Sequence, residues 1–281
     1  MFFESLHSLE IARMAALQSI HSASLDTLMR FLNSFDTIQF YLLLVTVVWY
    51  GYDQKCGVRL FFLAITTIAI NGFVKGLCGQ PRPEALNPSV ALLHATSFGF
   101  PSGGAQNMIA LVLFLVFTIR KSWFSIVSLL FVVLIGFSRV YLGVHFPSDV
   151  VGGWIIGAFV CALYMAALPT LESIVRAFSP STNFLLSFAG LVVIYKWLVP
   201  NDPVKSAFSL TLPACSVGLI WGTPLPPPRS FRQRIGRTII GLLGLFVIFW
   251  GADTYPEPFR YILFGLWLSL LTPAICRLRR I

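Results

Sequence analysis

Charge is what this sequence has least of. Of its 281 residues 57% are hydrophobic and 11% charged, against roughly 25% charged in soluble domains, which excludes an ordinary soluble globular protein. Strict alternation of apolar and polar residues is also absent, and with it a membrane-spanning β-barrel. The five cysteines, Cys56, Cys78, Cys161, Cys215 and Cys276, are odd in number, scattered and without metal-ligand spacing, so neither a disulfide framework nor a zinc site is implied. No acidic cluster of the kind that holds magnesium stands in the sequence. Residues 1–36 lack a basic start, an unbroken apolar core and a small-residue cleavage site, so no cleavable signal peptide is expected. No internal repeat of the transporter type is visible.

What the chain does have is a series of apolar runs, each near the ~20 residues that a bilayer core requires, separated by short polar turns. The fold expected is an all-α integral membrane protein, a polytopic helical bundle of about nine transmembrane helices. Residues 5–33 place Leu6, Leu9, Met14, Leu17, Leu25, Met29 and Leu32 near helical spacing among Glu10, Arg13, Asp26 and Arg30. Segment 1–36 is therefore expected as an amphipathic interfacial helix. Five spans in 37–169 follow, at about 37–52, 57–77, 103–119, 123–140 and 149–169. Four more in 170–281, at about 183–199, 207–222, 238–251 and 260–276, form a C-terminal membrane extension.

Lys plus Arg number 20 and Asp plus Glu 11, and much of the excess sits in short loops, where it sets orientation rather than recruiting nucleic acid. Lys55, Arg120, Lys121, Arg176 and the Arg229 to Arg237 loop fall on one side, which is expected to be cytoplasmic. The acidic turn at 252–258 falls on the other.

Ionisable residues recur at three places that alternating spans return to that other face. The first is Lys75 and Arg82 at the end of the second span, where Pro81 and Pro83 stop the helix. The second is Pro101-Ser102-Gly103-Gly104 at the start of the third span, where small residues leave backbone amides exposed for an anion. The third is Arg139 to Asp149, closing the fourth span and opening the fifth. There, His145 and Asp149 are four apart, so a helix that took in this turn would lay the carboxylate over the imidazole. Arg139 adds a planar cation suited to phosphate oxygens. The constellation points to phosphoryl chemistry; the bland alternative is a buried Arg139–Asp149 salt bridge that merely locks two helices.

Taken together, Lys75-x6-Arg82-Pro83, Pro101-Ser102-Gly103 and Ser138-Arg139-x5-His145-x3-Asp149 resemble, in order and spacing, the three-part signature of the type 2 phosphatidic acid phosphatase superfamily. The resemblance covers about residues 57–169, and the nine-span layout is most similar to that of glucose-6-phosphatase. It implies a metal-independent phosphatase with no cofactor, acting on a phosphorylated lipid drawn from the surrounding membrane lipids. His145 would be the nucleophile of a phosphohistidine intermediate, with Asp149 holding its tautomer. Lys75, Arg82, Arg139, Ser102, Gly103 and Gly104 would bind the phosphoryl group. The site would face the periplasm of a bacterial inner membrane, or the lumen in a eukaryote.

One position departs from the pattern. The second motif of the superfamily ends in a histidine that protonates the leaving oxygen, and here that position is Gly104. Losing a general acid typically forfeits about 10² to 10⁴ in rate. Three accounts stand open. The substrate is a diphosphate such as the undecaprenyl carrier, whose leaving phosphate titrates near 6 and needs no acid. Another residue serves, with His94 and Gln106 as the nearest candidates. Or the chain binds or transports lipid phosphate without turnover. A lipid phosphotransferase using the same intermediate is a further alternative.

Overall fold

A computed structural model describes residues 2–193, 203–221, 225–250 and 256–279. The described residues form helices and no strand: α1 (Phe2–Gln18), α2 (Ala23–Asn33), α3 (Ile38–Val47) with a wider turn over Val48–Tyr52, α4 (Gln54–Cys78), a short α5 (Pro83–Leu86), α6 (Gly103–Ile119), α7 (Ser122–Tyr141) and α8 (Pro147–Ala177). Further on come α9 (Pro180–Val193), α10 (Pro203–Trp221), α11 (Phe231–Trp250), α12 (Glu257–Leu266) and α13 (Thr272–Leu278).

Among the described residues five helices are long and apolar enough to cross a membrane, six if α2 and α3 count together as one broken span. The third expected span, 103–119, coincides with α6, and the fourth and fifth lie within α7 and α8, the latter running through Pro169 to Ala177. The end of the 183–199 span and the start of the 252–258 turn lie outside the described residues. The side chains agree with a lipid surround. Ile126, Ile155 and Val247 are more than 60% exposed, which an aqueous surface seldom tolerates in such numbers. The chain is a multi-pass helical membrane protein.

The chain divides into two compact units. The first comprises residues 1–37 and 66–165, the second 38–65 and 166–281. Within the first, the expected single N-terminal helix is two. Ser22 ends the break between them as the N-cap of α2, its hydroxyl accepting from the Leu25 amide at 3.3 Å, because a short side-chain oxygen satisfies an amide that the helix start leaves orphaned. Neither helix is merely laid beside the unit. In α1 the His7 ring stacks on Phe146 at 4.1 Å, Met14 joins Val90 and Phe146 in a buried cluster, and Gln18 donates to the carbonyls of Val90 and Tyr141. In α2 Met29 and Leu32 bury against Tyr141, Leu142 and Val144, while Asp26 accepts from the Tyr141 hydroxyl. Both helices thus hold the turn that joins α7 to α8. Helices α6 and α8 meet backbone to backbone: a Cβ on Gly157 would lie 2.2 Å from the Gln106 carbonyl oxygen, so only glycine permits the approach.

Within the second unit, Glu172 on α8 binds Arg59 at 2.6 Å and Lys55 at 3.3 Å on α4. The Tyr50 hydroxyl donates to the Leu268 carbonyl, and the Trp267 indole donates to Gly241 at 3.2 Å. These bonds tie the turn after α3 and helix α11 to the α12–α13 segment.

Candidate active site

His145 lies between α7 and α8, in a turn that needs Gly143 at φ 72°, a left-handed backbone favoured by glycine. Helix α8 starts only at Pro147, so the helix does not take in His145. The pairing with Asp149 arises differently. As the third residue of α8, Asp149 turns its Oδ2 back to accept from the Phe146 amide at 3.0 Å, the reach of a capping residue. The same oxygen faces Nδ1 of His145 at 3.3 Å. Both side chains are about 1% exposed. The Asp149 carbonyl also accepts from the Ser102 amide at 3.0 Å, which sets the start of α6 against the start of α8. From α1, the Glu10 carboxylate accepts from the amide and hydroxyl of Ser148 at 2.7 and 3.0 Å, and a carboxylate suits a helix N-terminus.

The other ring nitrogen, Nε2, faces Nη1 of Arg82 at 3.3 Å. Arg82 is held in place by the carbonyls of Val144 and Ser97 and the Ser97 hydroxyl. Lys75, at the end of α4, donates to the carbonyls of Phe98 and Gly99, so both cations organise the loop that leads to α6. With Nδ1–H directed at the carboxylate, Nε2 carries the lone pair. Burial, and after it the charges of Arg82, Arg139 and Lys75, hold the His145 imidazole well below its ordinary pKa and therefore neutral near pH 7.

Ser102 occupies the N-cap position of α6 but makes no capping bond. Its hydroxyl and Nε of Arg139 are both buried without a protein partner, and buried donors left in that way are costly unless something else accepts from them. Arg139 does not bind Asp149. Its guanidinium pairs with Asp36, in the turn after α2, at 3.1 Å and donates to the side chain of Asn33, the last residue of α2. The simple Arg139–Asp149 helix lock is thereby replaced by two other pairs.

Lys75, Arg82, Ser102, Arg139, His145 and Asp149, which the sequence places at three separated positions, are all buried and gathered in the first unit. Gly103 opens α6 beside Asn71, whose Oδ1 would be 3.1 Å from a Cβ there. The two auxiliary candidates already have other partners. The His94 side chain is 80% exposed and bound to Glu84. Gln106 is fully buried but its amide is committed, accepting from Asn71 at 2.9 Å and donating to the Thr67 carbonyl at 2.9 Å. Conversely, Asn33, Asp36, Asn71 and Glu10 enter the surroundings of the site without having been singled out. The polarity of Asn33 and Asp36 at the end of an apolar stripe is the sequence signal that marks them.

Residues 57–173 match the model of the PAP2 superfamily. The chain is 40% identical over 96 residues to a lipid A 4'-phosphatase of Bacteroides thetaiotaomicron, a match covering 32% of this chain and 43% of that protein. It is 27% identical over 191 residues to undecaprenyl-diphosphatase BcrC of Bacillus subtilis, covering 65% of this chain and 93% of the relative. The chain thus spans less than half of the first of these relatives. Among solved structures, a transmembrane PAP2-type phosphatidylglycerolphosphate phosphatase from Bacillus subtilis is similar, with a TM-score of 0.50 and 26% identity over 59% of this chain and 87% of that one. The buried cluster described above lies almost wholly inside the matched segment, and residues 57–173 of this chain are a PAP2 superfamily domain.

Proposed function

We propose that the protein is a membrane phosphatase that hydrolyses a lipid phosphate or a polyprenyl diphosphate at the non-cytoplasmic face, through a phosphohistidine intermediate on His145. The observation that carries this is the arrangement around one imidazole: Asp149 on Nδ1, a neutral Nε2 facing Arg82 at 3.3 Å, and unspent donors on Ser102 and Arg139 nearby. Nε2 would attack phosphorus while Lys75, Arg82, Arg139, the Ser102 hydroxyl and the amides of Gly103 and Gly104 receive the charge that develops on the phosphoryl oxygens. Positioned cations and amides of that kind are the main means of accelerating phosphoryl transfer. Asp149 would fix the tautomer and stabilise the imidazolium that forms.

The lipid class is supported by relatives named for undecaprenyl diphosphate and lipid A and by a site at the ends of apolar helices, level with headgroups. The positive loops argue for the orientation, and we retain nine spans as the topology. The test is inorganic phosphate release by detergent-purified protein, comparing farnesyl or undecaprenyl diphosphate with phosphatidate, beside His145→Ala. Turnover that His145→Ala abolishes supports the proposal. Retained lipid-phosphate binding without turnover on either substrate would refute it in favour of a non-catalytic binder, and phosphate transfer only to an added lipid acceptor would make the protein a transferase.

A further inference from the structure

If His145 takes the phosphoryl group as proposed above, an alcohol leaving group needs a proton that Gly104 cannot deliver. A Cβ built on Gly104 would lie 2.7 Å from both Cγ and Oδ2 of Asp36. The space that a side chain at the start of α6 would enter is therefore filled, and by a carboxyl group. Asp36 reaches it from the turn after α2, is only 15% exposed, and binds the Arg139 guanidinium at 3.1 Å. Lys75 and Arg82 also lie within electrostatic reach of its charge.

No other acid in the first unit is placed for the task among the described residues. Asp149 serves Nδ1 of His145 and the Phe146 amide, Glu10 is bound to Ser148, Asp26 accepts from the Tyr141 hydroxyl, and Glu84 is bound to exposed His94. We infer that Asp36 is the general acid and base of this site, supplied by the N-terminal helices in place of a side chain on α6.

The proton arrives with the substrate: a phosphate monoester ionises for the second time near 6, so its monoanion carries one proton into the site, and Asp36 passes that proton on. In the first step the Nε2 lone pair forms the N–P bond, the P–O bond to the alcohol breaks with its electron pair on oxygen, and Asp36 gives that oxygen its proton. In the second, a water oxygen attacks phosphorus, Asp36 accepts the water proton, and the N–P bond breaks with its pair returning to Nε2. Inorganic phosphate leaves and carries the proton away. Glycine at 104 is then the requirement for Asp36 to enter.

The test is Asp36→Asn in the full-length purified protein, measured on phosphatidate, on farnesyl diphosphate and on 4-nitrophenyl phosphate. Asparagine keeps the shape and can still accept from Arg139, but it cannot transfer a proton. Phosphatidate kcat/KM is expected to fall about 10² to 10⁴-fold, whereas kcat/KM on the two substrates with good leaving groups, which reports only the steps up to leaving-group release and so excludes the water step, falls less than tenfold, which also shows that the variant is folded. Equal losses of kcat/KM on all three would make Asp36 only a support for Arg139 and overturn the inference. So would unchanged phosphatidate turnover, or a wild-type protein that acts on diphosphate alone and is indifferent to Asp36→Asn. Absence of wild-type turnover on every substrate would instead refute the phosphatase proposal itself.

Discussion

Nδ1 of His145 lies 3.3 Å from Oδ2 of Asp149, and the same carboxylate oxygen is held at 3.0 Å by the Phe146 amide. The imidazole is thus oriented by a group that is itself anchored to the start of α8. Asp149→Asn replaces one carboxylate oxygen by a donor. If the amide NH₂ turns to Nδ1, the ring must present a lone pair there, and Nε2 then carries the hydrogen. Phosphate release is expected to fall by up to about 10⁴-fold, as when the orienting carboxylate of a triad is lost, with substrate binding changed far less. A split between kcat and KM in steady-state kinetics checks this.

The pH dependence follows from the burial of His145 and the cations around it. Its folded pKa is depressed below the ordinary value of about 6.5, so the nucleophile stays neutral as pH falls through 6.5, and the acid limb of kcat/KM attributable to it should lie well below that pH. Replacing Arg82 by Ala removes the largest of the neighbouring charges and should move the limb upward, toward 6.5. The unfolded chain binds the proton first, so the stability attached to a neutral His145 is present above about pH 6.5 and is lost as pH drops toward the folded pKa. Melting curves between pH 8 and 5 should show that loss, and His145→Gln should reduce it.

Gly104→Ala is a sharper probe of the same region. The added Cβ meets the Asp36 carboxyl group at 2.7 Å and its Cβ at 3.0 Å, so the carboxyl group swings aside while the turn after α2 gives slightly, and the thermal midpoint should change by only a few degrees. Swinging aside breaks the 3.1 Å pair with Arg139. Phosphatidate kcat/KM should therefore fall as it does in Asp36→Asn, with diphosphate kcat/KM nearly spared. Parallel thermal melts and phosphate assays on the two variants read this out.

The polar contacts of Gln106 predict a structural effect rather than a kinetic one. Gln106→Leu removes the 2.9 Å acceptor of the Asn71 amide, which keeps only the Pro101 carbonyl at 3.2 Å, and the side-chain donor to the Thr67 carbonyl in the α4–α6 interface, at a cost of about 1–3 kcal/mol. Its thermal midpoint should drop while the leaving-group dependence of the folded fraction stays unchanged. His94→Ala, at a side chain 80% exposed, should leave stability within about 0.5 kcal/mol and activity unaltered.

Much of the molecule was legible in the residues alone, for a physical reason. A bilayer demands long apolar helices, so spans such as 103–119 announce themselves, and the breaks between them must hold whatever polar chemistry there is. Alternating spans return every second break to one face, which is why Lys75, Arg82, Ser102, Arg139, His145 and Asp149 could be grouped before any coordinate was known. The cover of the His145 turn by α1 was not legible, because His7, Glu10 and Met14 lie on a stripe that reads equally well as membrane-facing.

Partner choice also lay beyond linear reading. Whether Arg139 binds Asp149 or Asp36 depends on which carboxylate the α7–α8 turn and the end of α2 bring closest, and spacing within one segment carries no such information. The sequence by itself determined a helical membrane chain whose ionisable residues collect at the breaks between spans, since hydropathy and charge spacing are local properties. Only the tertiary structure decided what stands over Gly104, because the space left by a missing side chain is claimed by residues distant in sequence, and packing alone selects Asp36.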